Sequence, residues 1–221
     1  MKYRCLILDH DDTAVKSTAE IHYPAHVEVI RVLRPHLQPI SLNEWFLKNF
    51  TPGIMEYLTE ELGFKDKELQ IEYRIWREFT TRTIPHFYPG FKETLMAFTQ
   101  QGGIVTVVSH SERDIIERDY RAWSEGEPLI PNMIHGWSYD EQKRKPSPLP
   151  VKKILKQFGL REDDALIVDD LKPGVLMAQA SGVAVAAAGW GHSIPAIRDY
   201  MVKHCITYFE TIDQFRSFIL S

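Results

Sequence analysis

Near the start of the chain a short apolar run ends in three carboxylates and a hydroxyl: Leu6-Ile7-Leu8-Asp9-His10-Asp11-Asp12-Thr13. A buried strand that delivers acids to a sheet edge sets up metal-assisted chemistry, because hard divalent cations prefer oxygen ligands. A second acidic tip, Asp169-Asp170, closes the apolar run Ala165-Leu166-Ile167-Val168 far downstream. One carboxylate from each tip and a backbone carbonyl would supply the protein's share of a Mg2+ shell, with Asp170 as a direct ligand and Asp169 as a ligand or its neighbour. A carboxylate such as Asp9 can attack phosphorus to form an aspartyl-phosphate. Asp11, two residues on, is placed to protonate the leaving oxygen and then to take a proton from water. The competing role for Asp169 and Asp170 is a helix N-cap, since Pro173 suits a first helical turn.

Two more segments have groups suited to phosphate. Ser109 ends the run Ile104-Val105-Thr106-Val107-Val108 and is followed by His110 and Ser111. A hydroxyl and free N–H groups at a strand-to-helix junction bind phosphate oxygens; a helix cap at Ser111 explains the same residues equally well. Lys145, in Lys143-Arg144-Lys145-Pro146-Ser147-Pro148, would neutralise phosphate and the crowded acids. Most lysines are solvated, and the flanking prolines favour a fixed placement.

The elements that must position these residues alternate short apolar runs with longer helical patterns, the signature of an α/β fold. Strands are expected at residues 3–8, 104–108, 165–168, 183–187 and 205–208, and helices at 91–101, 113–123, 149–158, 173–180, 195–203 and 212–220. Continuous apolar strands suit a Rossmann-like parallel sheet with helices on both faces. From about residue 14 to 89 no strand pattern occurs. Residues 25–36, 42–50, 54–62 and 67–81 carry helical spacing, with Thr51-Pro52-Gly53 and Tyr88-Pro89-Gly90 as breakers. The organisation expected is a core of residues 1–14 and 90–221 with an inserted all-helical cap of residues 15–89.

Together the four segments resemble the haloacid dehalogenase-like phosphatase superfamily along nearly the whole chain. Its first motif, Asp-x-Asp-x-Thr, is matched by Asp9-His10-Asp11-Asp12-Thr13; its second, a Ser or Thr ending an apolar strand, by Ser109. Its third, a Lys often within Lys-Pro-x-Pro, is matched by Lys145-Pro146-Ser147-Pro148, and its fourth, a strand-ending acidic pair, by Asp169-Asp170. The resemblance implies Asp9 as nucleophile, Asp11 as general acid and base, and Mg2+ held by Asp9, the Asp11 carbonyl and the fourth-motif acid. It also implies that residues 15–89 are a C1 cap, and the nearest branch is that of β-phosphoglucomutase and phosphoglycolate phosphatase. Asp12 stands where the family usually has Gly, Leu171 where Ser is common, and Gly174 where many members have another Asp. Asp11 favours phosphoester chemistry over dehalogenation or phosphonate cleavage, whose enzymes have other residues there.

A cap closes over substrate and excludes water. Lys16 and Gly53 are the candidate cap contacts, with Ser109, His110 and Thr13 on the phosphate side. Lys48 and Arg74 read as solvated charges, His22 as a packed histidine, and Tyr73, Trp76 and Phe79 as cap core. Gly189-Trp190-Gly191-His192 reads either as a pocket border or as a surface turn.

The net charge of −4 disfavours a nucleic-acid partner, and no apolar run approaches the roughly 20 residues that span a bilayer. Lys2 and Arg4 precede too short an apolar stretch for a signal peptide, so a cytoplasmic location is expected, with Cys5 and Cys205 as buried thiols. The nine histidines show no zinc spacing. The reading is a Mg2+-dependent phosphatase, monomer or homodimer, acting on a small phosphorylated metabolite. The rivals are a phosphosugar mutase on the same scaffold and, from another class, a non-catalytic binding protein. An oxidoreductase is disfavoured because no Gly-x-Gly-x-x-Gly follows the first strand.

Overall fold

The computed structural model describes residues 1–122 and 129–221. Its strands are β1 (Cys5–Leu8), β2 (Ile104–Val108), β3 (Met133–His135), β4 (Ala165–Asp169), β5 (Ala184–Ala188) and β6 (Thr207–Phe209). In chain order its helices are α1 (Tyr23–Leu33), α2 (Leu42–Phe50), α3 (Ile54–Glu56), α4 (Asp66–Arg82), α5 (Phe91–Gln100), α6 (Arg113–Ala122), α7 (Leu149–Phe158), α8 (Lys172–Ser181), α9 (Pro195–His204) and α10 (Ile212–Leu220). The chain forms two compact units, Met1–Lys16 with His86–Ser221, and Ser17–Pro85.

The first unit is built on one parallel sheet of strand order β3-β2-β1-β4-β5-β6. Alternation along the strands feeds two cores. Leu6, Leu8, Val105, Val107, Leu166 and Val168 point to one face, where Phe91, Leu95 and Phe98 of α5 and Phe215 and Ile219 of α10 cover them. Cys5, Ile7, Ala165 and Ile167 point to the other, against Val151 and Ile154 of α7 and Met177 and Ala178 of α8. Both faces of β1 and β4 are therefore dry, which is why their sequences are unbroken apolar runs.

The second unit is helical. Its core is Val29 of α1, Trp45 of α2, and Tyr57, Leu58 and Phe64. Ser41 begins α2 with a capping box: Glu44 N–H donates to the Ser41 hydroxyl at 3.3 Å, and the Ser41 N–H donates back to Glu44 Oε2 at 2.8 Å.

Several sequence expectations need correction. The edge strand β3 went unread because three residues are too few to show periodicity. The first and last strands of the chain, β1 and β6, are shorter than expected, starting at Cys5 and Thr207. The helix expected over 25–36 stops at Leu33, because Arg34 precedes Pro35 and leaves the helical region (φ −139°, ψ 58°). The helix expected over 54–62 is a short α3 running into one π-helical turn, Tyr57–Glu61. Trp123, expected to end α6, lies outside the described residues. Tyr73 is not cap core: it is 39 % exposed, stacked on Trp76. His22 is packed as expected, its Nδ1 accepting from Trp76 Nε1–H at 3.0 Å. Lys48 pairs with Glu61 at 2.6 Å. Both cysteines are free, Cys5 buried and Cys205 partly so.

His26 is a buried titratable group of the helical unit, stacked on Trp45 at 4.2 Å, with neither ring nitrogen hydrogen-bonded. Burial pushes its pKa from 6.5 down to about 4, so folding favours the neutral ring. The stability this gives is complete above the unfolded pKa and is lost as pH falls from 6.5 towards 4. Between pH 7.5 and pH 5, wild type should lose about 2 kcal/mol more unfolding free energy than His26→Phe in urea titrations. Equal losses in the two proteins would refute the assignment.

Candidate active site

The sheet register brings the acidic tips together. Leu8 pairs with Val107 on one side and Val168 on the other, so one residue further Asp9 and Asp169 come abreast. The Asp9 N–H closes the ladder by donating to the Val168 carbonyl at 2.9 Å. β1 and β4 are also where the strand order reverses, and open parallel sheets bind ligands beyond the carboxyl ends of such a pair.

Asp9, Asp169 and Asp170 are all buried there, each offering an oxygen within 4.8 Å of the others'. Lys145, only 5 % exposed, donates from Nζ to Asp9 Oδ1 and to Asp169 Oδ2, both at 2.6 Å. Burial opposes its ammonium, yet Asp169 and Asp9 outweigh that and hold its pKa above the ordinary lysine range. Burial is the main cause that lifts Asp169 to about 7; Lys145 opposes the rise, and the Asp9 and Asp170 charges add to it. Asp170 is raised as well, mostly by burial, against the pull of His192. Its Oδ2 is buried and accepts no aligned hydrogen bond. An all-oxygen, electron-rich donor set with an oxygen left over fits a hard divalent cation such as Mg2+.

Asp11 faces a different set of groups. Its Oδ2 accepts from the Ser109 hydroxyl at 3.3 Å and the Ser111 hydroxyl at 2.7 Å. Ser111, for which a helix cap was one of two readings, holds this carboxylate. Between the two acids, His10 turns into the interior, where Nε2 hydrogen-bonds Asp119 Oδ2 at 3.1 Å. Asp12 has φ +55°, the left-handed region that explains the family's usual Gly and that Asp tolerates better than most residues. Asp12 is buried but is not one of the three converging acids.

Thr13 is fully buried, its hydroxyl without a hydrogen-bond partner. The His110 ring meets the Lys145 carbonyl at 3.0 Å, in a residue that is itself exposed. Lys16 lies at the end of this unit with Nζ 5.6 Å from the Tyr88 ring centre. Gly53 belongs to the helical unit, where it precedes α3 with φ +125°.

Residues 6–188 match the family profile of haloacid dehalogenase-like hydrolases. The chain belongs to that family. A phosphoglycolate phosphatase of Aquifex aeolicus is 28 % identical over 200 residues, 86 % of each chain. Phosphoglycolate phosphatase 1 of Pseudomonas aeruginosa is 20 % identical over 205 residues, covering 86 % of this chain and 71 % of its own. Among solved structures, a haloacid dehalogenase-like family hydrolase of Streptococcus pneumoniae superposes with a TM-score of 0.75 at 14 % identity, over 98 % of both chains. These relatives align the chain with the phosphatases of the haloacid dehalogenase-like family. Among the described residues no helix is long and apolar enough to cross a membrane.

Two features of this family member have to be seen in three dimensions. Gly174 stands where many relatives have an acid, and a Cβ there would overlap the Asp169 carboxylate. The missing side chain makes room for Asp169, which takes the Lys145 contact instead. The second is the segment after β5. Trp190 Nε1–H donates to the Thr13 carbonyl at 2.9 Å, a Cβ on Gly191 would strike the Asp12 carbonyl, and His192 Nε2 lies 3.3 Å from Asp170 Oδ2. Gly189-Trp190-Gly191-His192 is thus a border of the site, the first of its two expected readings.

Like charges crowded without a cation cost stability. In metal-free protein, Asp170→Asn should therefore raise the thermal midpoint by a few degrees, the shift that about 1 kcal/mol gives a chain of this length. Added Mg2+ should stabilise wild type and leave the variant unmoved in a thermal-shift assay. A lower midpoint for the metal-free variant would mean that the acids do not repel.

Proposed function

We propose that the protein is a Mg2+-dependent phosphatase that hydrolyses a small phosphorylated metabolite through an aspartyl-phosphate on Asp9. The observation that carries this reading is the meeting of Asp9, Asp169 and Asp170, the first two bridged by Lys145, with Asp11 held separately by two serines. Asp9, Asp170 and Asp169 would hold the ion beside the Asp11 carbonyl. When bound, the ion supplies positive charge to the phosphoryl oxygens and screens the acids from the incoming phosphate.

The chain's own groups account for the remainder. A carboxylate oxygen of Asp9 attacks phosphorus, the P–O bond to the leaving alcohol breaks, and Asp11 gives that oxygen its proton. Asp11, now a carboxylate, takes a proton from water as the water oxygen attacks the phosphoaspartate; the P–O bond to Asp9 breaks, releasing phosphate and restoring both acids. The Ser109–Ser111 contacts keep Asp11 aimed during its two roles. Lys145 compensates the charge that collects on the phosphoryl oxygens. Ser109, Thr13 and the His110 main chain line the phosphate side. The helical unit, Ser17–Pro85, is the body of the C1 cap expected over residues 15–89; Gly53 within it and Lys16 just ahead of it are the candidate contacts to substrate.

Phosphoglycolate, the substrate for which the Aquifex and Pseudomonas relatives are named, is the first compound to assay. Hydrolysis is preferred over mutase chemistry because those relatives are phosphatases. A panel of phosphorylated metabolites assayed with Mg2+ and with EDTA should give turnover in the first condition alone. Asp9→Asn should lower hydrolysis of an aryl phosphate by at least about 10³-fold with an unchanged circular dichroism spectrum. Turnover retained in that variant would exclude the aspartyl-phosphate route.

A further inference from the structure

His192 brings an imidazole to the converging acids from outside the family's four motifs. Its side chain is only 7 % exposed, and Nε2 stands 3.3 Å from Asp170 Oδ2. The segment that carries it is fastened at each of the three residues before it. Upstream, the Gly189 N–H donates to the Phe209 carbonyl at 2.8 Å, tying the segment to the end of β6. Next, the Trp190 indole is bonded to the Thr13 carbonyl and packs its ring on Phe91 and Phe215, 6.2 and 5.6 Å between centres. Gly191 then passes so close to the Asp12 carbonyl that no side chain fits. The ring position is therefore dictated by the same turn that bears Asp9 and Asp11.

We propose that His192 is a positioning residue for the cation: it restrains the Asp170 carboxylate against the Asp9 turn and so raises the site's affinity for a divalent ion. The contact has the distance of an ion pair without hydrogen-bond alignment, and Asp170 Oδ2 keeps its lone pairs. Ring and carboxylate can thus stay together while the acid binds a metal. Ligating carboxylates are oriented by such partners, and removing one typically costs 10- to 100-fold in metal affinity. The inference rests on the proposed reading of Asp9 and Asp170 as ligands of one Mg2+.

Isothermal titration of full-length protein with Mg2+ tests it without turnover. His192→Ala and His192→Leu should each raise the Mg2+ Kd 10- to 100-fold, Leu because it restores bulk and not polarity. His192→Gln, which carries an amide nitrogen to about the Nε2 position, should recover most of the affinity. Should the alanine protein not fold, the leucine–glutamine pair carries the comparison. Wild-type affinity in His192→Leu would overturn the proposal and leave the cation site standing. A wild-type protein that takes up no Mg2+ would overturn both this proposal and the reading beneath it.

Discussion

Three buried carboxylates face a single buried ammonium group at the carboxyl ends of β1 and β4, and that imbalance of charge constrains everything around it. Taking ions out of water is expensive, and an unmatched buried charge is the costliest arrangement. Lys145 bridges Asp9 and Asp169, and the His192 ring stands beside Asp170. One ammonium cannot compensate three acids, and Asp169 answers by holding its proton up to about pH 7. A divalent cation bound there would remove the excess negative charge that burial makes costly. The same excess would repel a phosphate dianion, so compensation of the acids is a condition for substrate entry as well as for stability.

The scaffold explains how such a costly arrangement persists. β1 lies between β2 and β4, both of its faces are dry, and its register is fixed by ladders on either side. A one-residue slip would exchange the two cores, Leu6 and Leu8 for Cys5 and Ile7. The position of Asp9 is therefore set by apolar packing remote from the chemistry. The turn that follows is held by groups from three other places: Asp119 of α6 on His10, Ser109 and Ser111 after β2 on Asp11, and Trp190 after β5 on Thr13. Each of these contacts holds a residue of the turn, which is how a short acidic turn acquires a single conformation.

Sequence alone made the parts that depend on local pattern legible. The runs before Asp9, Ser109 and Asp169 are unbroken because their strands are covered on both faces, and their terminal polar residues stand out for that reason. Lys145 was readable from its prolines and its family motif. The contacts that complete the site were not readable, because they join residues with no periodic or local relation. Ser111 looked like a helix cap, and only the closeness of the β1 turn shows it serving Asp11. His192 sits in a glycine-rich turn that any surface loop could share, and its meaning comes from β5 lying beside β4. Gly174 looked like a missing acid until the Asp169 carboxylate was found in the space it leaves. In the helical unit, amphipathic spacing located α1, α2 and α4; it did not distinguish the buried His26 from an ordinary helix residue or show that Tyr73 is exposed.

The measurement closest to the central claim is diffraction from crystals soaked in Mn2+, a hard cation whose anomalous signal identifies its position. One anomalous peak, about 2.0–2.3 Å from carboxylate oxygens of both Asp9 and Asp170, is the expected result. A peak bound to only one of these acids, or none in crystals that diffract well, would contradict the claim that β1 and β4 converge to share a single ion.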